Sequence, residues 1–405
     1  MISSDKHGYK HTILGWIPKE WDVKHFEDVA DIDKFCLNGN TPEDYCFEYI
    51  SLSDVDSEHF EITTSKQVYK TAPSRARRVV SKGDILMSTV RPTLQGFTYI
   101  KEDVKNLIAS TGFAVITPKE DDGEYIYQYL FSQYIAKQFY QLLVGSNYPA
   151  INSSDVKKLK VIQPTLRERQ KIGSVLSTLG EAITITQQLV VQLKQCNKEL
   201  MQQLLSGKKR LKVFSKPWNE IHLGEAFNER NETGFIKLNL LSVGSLGVYP
   251  QAQSEKKDIS NTDKSKYKRI TPGDIGYNTM RMWQGRSALS SIEGIVSPAY
   301  TIATPKEKQH SLFYAYLFKL PVVVNKFFRN SQGLVEDTLN CKFKDFAIVK
   351  VEVPEYDEQV AIAAVLSKAI MEVHLHKQKL ATLQQQKKGL MQKLLTGEIR
   401  VKVED

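Results

Sequence analysis

A chain of 405 residues is long enough for two or three domains, and its 41% hydrophobic and 10% aromatic content is that of a globular protein, not a disordered one. Its formal charge of +9 suits a polyanionic partner without establishing one. No run approaches the roughly 18 apolar residues of a membrane span, MISSDKHGYK lacks a signal-peptide core, and Cys36, Cys46, Cys196 and Cys341 show no CxxC spacing, which together predict a cytoplasmic protein with reduced thiols.

Taken along the chain, residues 1–163 read as a mixed α/β globular part. After the opening GWIPKEW comes KQVYKTAPSRARRVVSK (66–82), with six basic residues and no acid. It runs into GDILMSTV (83–90), which reads as a strand, as does FAVITP (113–118). EYIYQYLFSQYIAKQFYQLLVG (124–145) spaces aromatic and aliphatic residues by three and four, which predicts an amphipathic helix. Residues 164–207 form a long helical pattern. Pro164 stands just before it, where proline is tolerated, and Gly207 follows its last apolar pair as a left-handed stop.

Residues 208–353 form a second globular part, opening with KPW at Trp218. The basic KSKYKR (264–269) precedes TPGDIGYNTMRMWQG (271–285), and PAYTIATP (298–305) reads as a strand. LFYAYLFKLPVVVNKFF (312–328) is helical in pattern but should break or kink at Pro321. A second long helix occupies 354–397, from Pro354 to Gly397, and a tail of 398–405 follows.

The chain is two copies of one unit, offset by 190 residues. KELMQQLLSGKKRLKV (198–213) and KGLMQKLLTGEIRVKV (388–403) agree at ten of sixteen positions. PTLRERQKIGSVLSTL from Pro164 aligns with PEYDEQVAIAAVLSKA from Pro354, and Trp21 has a counterpart in Trp218. A period this long is not that of a solenoid and points to duplication with pseudo-twofold symmetry. Each long helix, about 60 Å by its length, carries an apolar seam at heptad spacing. The seam runs through Ile172, Leu176, Leu179, Ile183, Val190, Leu193, Leu200 and Leu204 in one copy. In the other it runs through Ile362, Leu366, Ala369, Val373, Leu380, Leu383, Leu390 and Leu394. Thr186, Asn197, His376 and Lys387 interrupt it, either fixing register or marking partial exposure. Since the chain leaves through one helix and returns through the other, the simplest pairing is an antiparallel coiled coil.

Catalytic motifs are missing. There is no Walker-type loop and no HExxH, and the histidines show no ligand spacing, with His374 and His376 lying in the second long helix. GSLG (244–247) reads as a turn, and the ExK tripeptide of Glu255 and Lys257 lacks the partner aspartate of a nuclease. SPAY (297–300) faintly resembles the SPPY-like motif of amino-methyltransferases but reads as the lead-in to a strand. The sequence argues against a self-contained enzyme, a metal site or a bound cofactor.

Two corresponding loops remain. Thr89, Arg91 and Gln95 match Thr279, Arg281 and Gln284, with Arg286 two residues on. Arginine forks onto guanine and glutamine pairs with adenine, so such loops suit base-edge readout. Upstream, Lys66, Lys70, Arg75, Arg77 and Arg78 in one copy, and Lys264, Lys266, Lys268 and Arg269 in the other, are placed to hold phosphates. The plainer alternatives are that the basic runs are solvated faces and that Arg91 and Arg281 brace their loops.

At this point the whole chain resembles the specificity subunit of type I restriction–modification enzymes. PTLRERQKI and PEYDEQVAI are similar to the starts of that family's long helices, LMQQLLSGKKRLKV and LMQKLLTGEIRVKV to their exits, and GWIPKEW and KPW to the openings of its recognition domains. The resemblance implies two target-recognition domains, each reading one half of a bipartite, asymmetric site in double-stranded DNA, with the coiled coil setting the unread spacer. It also implies that two methyltransferase (M) subunits bring the S-adenosylmethionine and adenine chemistry, and that restriction (R) subunits add ATP-driven translocation and cleavage. One departure stands out: Arg169 in the first copy meets Gln359 in the second, so a contact at the helix start should differ between halves. The competing expectation is a DNA-independent coiled-coil scaffold for other proteins.

Overall fold

The computed structural model describes residues 7–56, 61–143, 149–244, 247–254, 261–333, 335 and 338–403. Ser245 and Leu246 of GSLG, and Glu255 and Lys257, lie outside the described residues. Gly244 and Gly247 themselves face one another across the hairpin of Leu241–Gly244 and Gly247–Pro250. The chain divides into two compact units, residues 1–190 with 376–405, and residues 191–375. Each long helix therefore contributes one part to each unit.

In the first unit a four-stranded antiparallel sheet has the order Phe97–Tyr99, Ile85–Ser88, Phe113–Pro118, Ala30–Ile32. Every residue of Ile85–Ser88 is buried, which is why Ile85, Leu86 and Met87 are all apolar instead of alternating, while the Ser88 hydroxyl donates to the Val90 carbonyl. A second sheet has the order Ser65–Val68, Cys46–Ile50, Leu107–Ser110, Ala76–Val80, with the middle pair parallel. Asp22–His25 pairs with Lys160–Gln163, tying the opening of this part to the segment just before the long helix.

The second unit repeats the first sheet strand for strand, as Ser287–Leu289, Ile275–Asn278, Tyr300–Pro305, Phe227–Glu229. SPAY ends where Tyr300–Pro305 begins, as the lead-in to that strand. The Gly-Asp pair shared by both copies explains part of the agreement. Gly83 and Gly273 take left-handed φ values of 87° and 93°. The buried Asp84 and Asp274 close the turn by accepting from the backbone of Ser81 and Thr271, and they also accept the hydroxyls of Thr117 and Thr304. Burial pushes the Asp84 carboxyl up.

The amphipathic stretch 124–145 is not one helix. It forms Gly123–Leu130 and Gln133–Leu142, separated at Ser132, whose hydroxyl caps the second by accepting from the Ile135 amide at 3.3 Å. The second copy breaks at the same place, into Ser311–Leu317 and Pro321–Asn330, with Pro321 as the first residue of the new helix. The apolar spacing showed the faces but not the cap.

The long helices span Leu166–Leu205 and Tyr356–Leu395. Gly207 and Gly397 follow at φ values of 68° and 69°. The Gly207 and Gly397 amides donate three residues back to Leu204 and Leu394, the inner bond of a Schellman ending, and the amides of Lys209 and Ile399 donate six back to Gln203 and Lys393. Within the first unit, Ile172 and Leu176 share a core with Leu394 and Leu395, together with Trp21, Tyr125 and Tyr129. Within the second, Leu204 and Leu205 share one with Ile362 and Leu366, together with Phe227, Tyr314 and Phe318. The start of each helix thus packs on the end of the other, an antiparallel pairing. Every seam position is buried or half-buried. Of the polar interruptions, Asn197 donates across to the Ala369 carbonyl at 2.8 Å, whereas Thr186 bonds within its own helix to Ala182. Lys387 lies against Gly180, and burial lowers its pKa.

Candidate nucleic-acid interface

Both candidate loops hang from one kind of frame. In the first unit the buried Thr89 donates from its amide and its hydroxyl to the Gly112 carbonyl, at 2.9 and 2.8 Å, and its own carbonyl accepts from Ile151. In the second unit Thr279 does the same with the Ala299 carbonyl, at 3.3 and 3.1 Å, and accepts from Cys341. The matched threonines are therefore braces that hold the loop root.

Beyond the brace the loops diverge. Arg91 and Gln95 both adopt left-handed backbone, at φ 49° and 57°, around the turn Pro92–Leu94. The Arg91 amide is held by the Pro149 carbonyl at 2.7 Å, and Pro92 is buried beneath. In the second loop Arg281 is in ordinary backbone and Gly285 takes the left-handed position at φ 72°. Arg91, Gln284 and Arg286 are exposed, and Gln95 and Arg281 half-buried.

The basic segments are only partly gathered at these loops. Thr111, the neighbour of Gly112 to which Thr89 is bonded, donates from its amide to the Arg75 carbonyl, which brings exposed Arg75 beside the first loop. Arg78 pairs with Asp33 at 3.0 Å and donates to Ser153, and Arg77 stacks on Tyr69. Lys66 lies on Ser65–Val68, at the opposite edge of its sheet from Arg77 and Arg78. Three strand spacings of about 4.8 Å put it roughly 14 Å away. Lys70 pairs with Glu43. In the second unit Arg269 is gripped by Glu232 and Glu293, Lys268 faces Glu229, and Lys264 covers the Tyr267 ring, while Lys266 is exposed.

A second constellation was not visible in the sequence. Glu168, in the first turn of the first long helix, accepts from Arg400 at 2.7 Å, from the Trp21 indole at 3.0 Å and from the Thr165 hydroxyl at 3.1 Å. Glu358, its counterpart in the second helix, accepts two bonds from Arg210, at 2.6 and 2.7 Å. Arg400 and Arg210 also cover the rings of Trp21 and Trp218. The exit arginine of each helix therefore locks the start of the other. Arg400 also pairs with Glu20, whose carboxyl it holds below the usual range.

Arg169 and Gln359 do equivalent work with different chemistry. Each donates to the carbonyl of the preceding proline, Pro164 or Pro354. Arg169 then pairs with Glu120 and the buried Asp122, and burial pushes the Asp122 carboxyl up against the pull of that guanidinium. Gln359 instead accepts from the His310 amide at 2.9 Å. Asp122 and His310 both directly precede the helices Gly123–Leu130 and Ser311–Leu317.

Each unit also has a groove between the end of a long helix and the broken domain helix. One is lined by Phe131, Ala136, Lys388, Met391 and Leu395, the other by Gln202, Leu205, Trp218, Leu320 and Val323. Among the described residues there is no cluster of three or more His, Cys, Asp or Glu side chains set to hold a metal ion, and no helix is long and apolar enough to cross a membrane.

The sequence matches the family model of the type I restriction modification DNA specificity domain twice, over residues 18–195 and 215–385. It is 23% identical, over 98% of both chains, to a Methanocaldococcus jannaschii protein provisionally named as the type I restriction enzyme MjaX specificity subunit. It is 28% identical to the Haemophilus influenzae HindI specificity subunit over 34% of this chain and 30% of that one. Among solved structures, the HsdS subunit from Thermoanaerobacter tengcongensis is similar in fold, with a TM-score of 0.52 at 20% identity over 95% of this chain and 98% of that one. A chain solved in a study of complex assembly and conformational transition of the type I R-M system gives a TM-score of 0.58 at 20% identity, over 95% and 99%. The chain belongs to the type I restriction–modification specificity family, as the non-catalytic subunit that confers DNA specificity.

Proposed function

We propose that each unit reads one half of a bipartite, asymmetric site in double-stranded DNA, through the loops of Arg91 and Gln95 and of Arg281 and Gln284. The observation that carries this is the shared brace: Thr89 and Thr279 hold two loops of like root and unlike tip. Arg75 and Lys266 are the phosphate contacts that this reading favours, because Arg269 and Lys268 face carboxylates. Residues 1–163 and 208–353 would be the recognition domains, 164–207 and 354–397 the spacer helices, and 398–405 a tail carrying the Arg400 lock. Two methyltransferase subunits would seat in the two like grooves, restriction subunits would join them, and the assembly would work in the cytoplasm.

Arg281→Ala should weaken recognition of one half-site by about 1–3 kcal/mol, and Arg91→Ala the other. Uniform weakening on all sequences would show that these arginines hold phosphates or the fold instead. The scaffold alternative predicts no steep fall of affinity with salt, which phosphate contacts require. Native mass measurement of the complex should give two methyltransferase subunits per chain, and a saturated one-to-one complex would count against paired docking.

A further inference from the structure

We infer that Leu94 is a specificity-determining residue that reads the C5-methyl group of a thymine in the half-site of the first unit. The inference rests on the proposed reading of DNA by the Arg91 loop and names one of its contacts. Leu94 is 66% exposed at the tip of the turn Pro92–Leu94, between Arg91 and Gln95. Exposure of one leucine means little by itself, since apolar atoms cover much of any protein surface. What sets Leu94 apart is the backbone that presents it.

Among the described residues five non-glycine positions have positive φ, and two of them, Arg91 and Gln95, bracket this one turn. Such backbone is costly for residues with a Cβ, and it persists where the surroundings fix it. Here they do so from below: buried Pro92, the Pro149 carbonyl on the Arg91 amide, and the Thr89 brace. The tip is thus held rigid while its apolar side chain faces water.

The second loop differs at this point. Its matching residue, Trp283, donates from its indole to the Met280 carbonyl at 3.0 Å and packs on Phe328, so its ring is drawn back onto the protein. Leu94 has a different environment because the first loop holds an extra residue and two left-handed positions. In the major groove the base edges offer nitrogen and oxygen donors and acceptors, and one apolar group, the thymine methyl. An isobutyl group held out between a guanidinium and a carboxamide matches that group and none of the others.

The test uses the full-length chain. Its preferred duplex is first selected from a random library, and the half read by the first unit is identified with Arg91→Ala. Each thymine is then replaced singly by deoxyuridine, which deletes only the methyl. For the wild-type chain one substitution in that half should weaken binding about fourfold, the worth of roughly one buried methyl. Leu94→Ser should lose the same factor on the thymine duplex and show no further loss with deoxyuridine, while Leu94→Met should retain the discrimination. The assignment is overturned if Leu94→Ser still discriminates, if no thymine in that half is methyl-sensitive, or if the sensitive thymine lies in the other half. A chain with no sequence preference at all would sink the DNA-reading proposal itself, whereas a selective chain indifferent to the methyl would overturn Leu94 alone.

Discussion

Replacing Arg210 with alanine should destabilise the unit of residues 191–375 more than Arg400→Ala destabilises the other. The Glu358 side chain is only 3% exposed, and the two bonds it accepts at 2.6 and 2.7 Å both come from Arg210. Taking away the guanidinium leaves a buried carboxylate without its counter-charge, a loss of about 3–5 kcal/mol. The Arg210 contact with the Trp218 ring, at 5.8 Å, adds less than about 1 kcal/mol. Glu168 is as deeply buried, but without Arg400 it keeps the Trp21 indole at 3.0 Å and the Thr165 hydroxyl at 3.1 Å. Arg400 is itself 40% exposed, so water already screens that pair. The expected loss there is about 2 kcal/mol. Because two units need not unfold in one step, urea denaturation should be paired with hydrogen exchange of the long-helix amides. Adding Glu358→Gln to Arg210→Ala should restore much of the stability, since a neutral amide has no need of a counter-charge. Equal losses in the two units, or losses below about 1 kcal/mol in both, would refute the reasoning and reduce the locks to surface ion pairs.

Gly397→Ala combines a left-handed φ of 69° with a Cβ driven onto Pro18 and to 3.2 Å from the Trp21 ring. It should cost about 3 kcal/mol, against about 1 kcal/mol for Gly207→Ala, whose Cβ meets Trp218 at an ordinary 3.4 Å; comparative melting curves check the order. Lys387→Met should raise the melting temperature, because it removes an ammonium that burial disfavours. Folding lowers the pKa of Lys387 below its ordinary 10.5, so the unfolded chain binds more protons and wild-type stability should climb as pH rises toward 10.5. That climb should be absent from the methionine variant, and parallel pH profiles would show that Lys387 is already well solvated.

What the sequence showed was whatever is local and periodic. The heptad rows of Ile172 and Ile362 locate the seam because a helix turns its face at a fixed interval. The two Gly-Asp pairs locate their strands because one tight turn needs both residues. The break at Ser132 was hidden, since a serine cap disturbs an apolar pattern less than Pro321 does. Charge was the least legible property. KQVYKTAPSRARRVVSK has no acid within it, yet Arg78 meets Asp33 and Lys70 meets Glu43, both far upstream. A run's composition gives its formal charge, whereas its field depends on carboxylates that the fold brings from elsewhere.

The same limit hid the helix locks, whose partners lie 148 and 232 residues apart. They also change what the repeated exit segment means. Arg210 must close on Glu358 and Arg400 on Glu168, each beside a glycine stop and a tryptophan. Two matching exits are therefore required by folding alone, whether or not any partner binds them. Their similarity lends no weight to paired docking. That weight falls on the two grooves, where half-buried Phe131 and Met391 in one unit and exposed Pro321 and Val322 in the other present apolar surface to solvent. A polar substitution at Val322, 68% exposed at the rim of one groove, should leave both locks intact and weaken one docking event alone. Loss of both methyltransferase subunits from such a variant would mean that docking is not local to each groove.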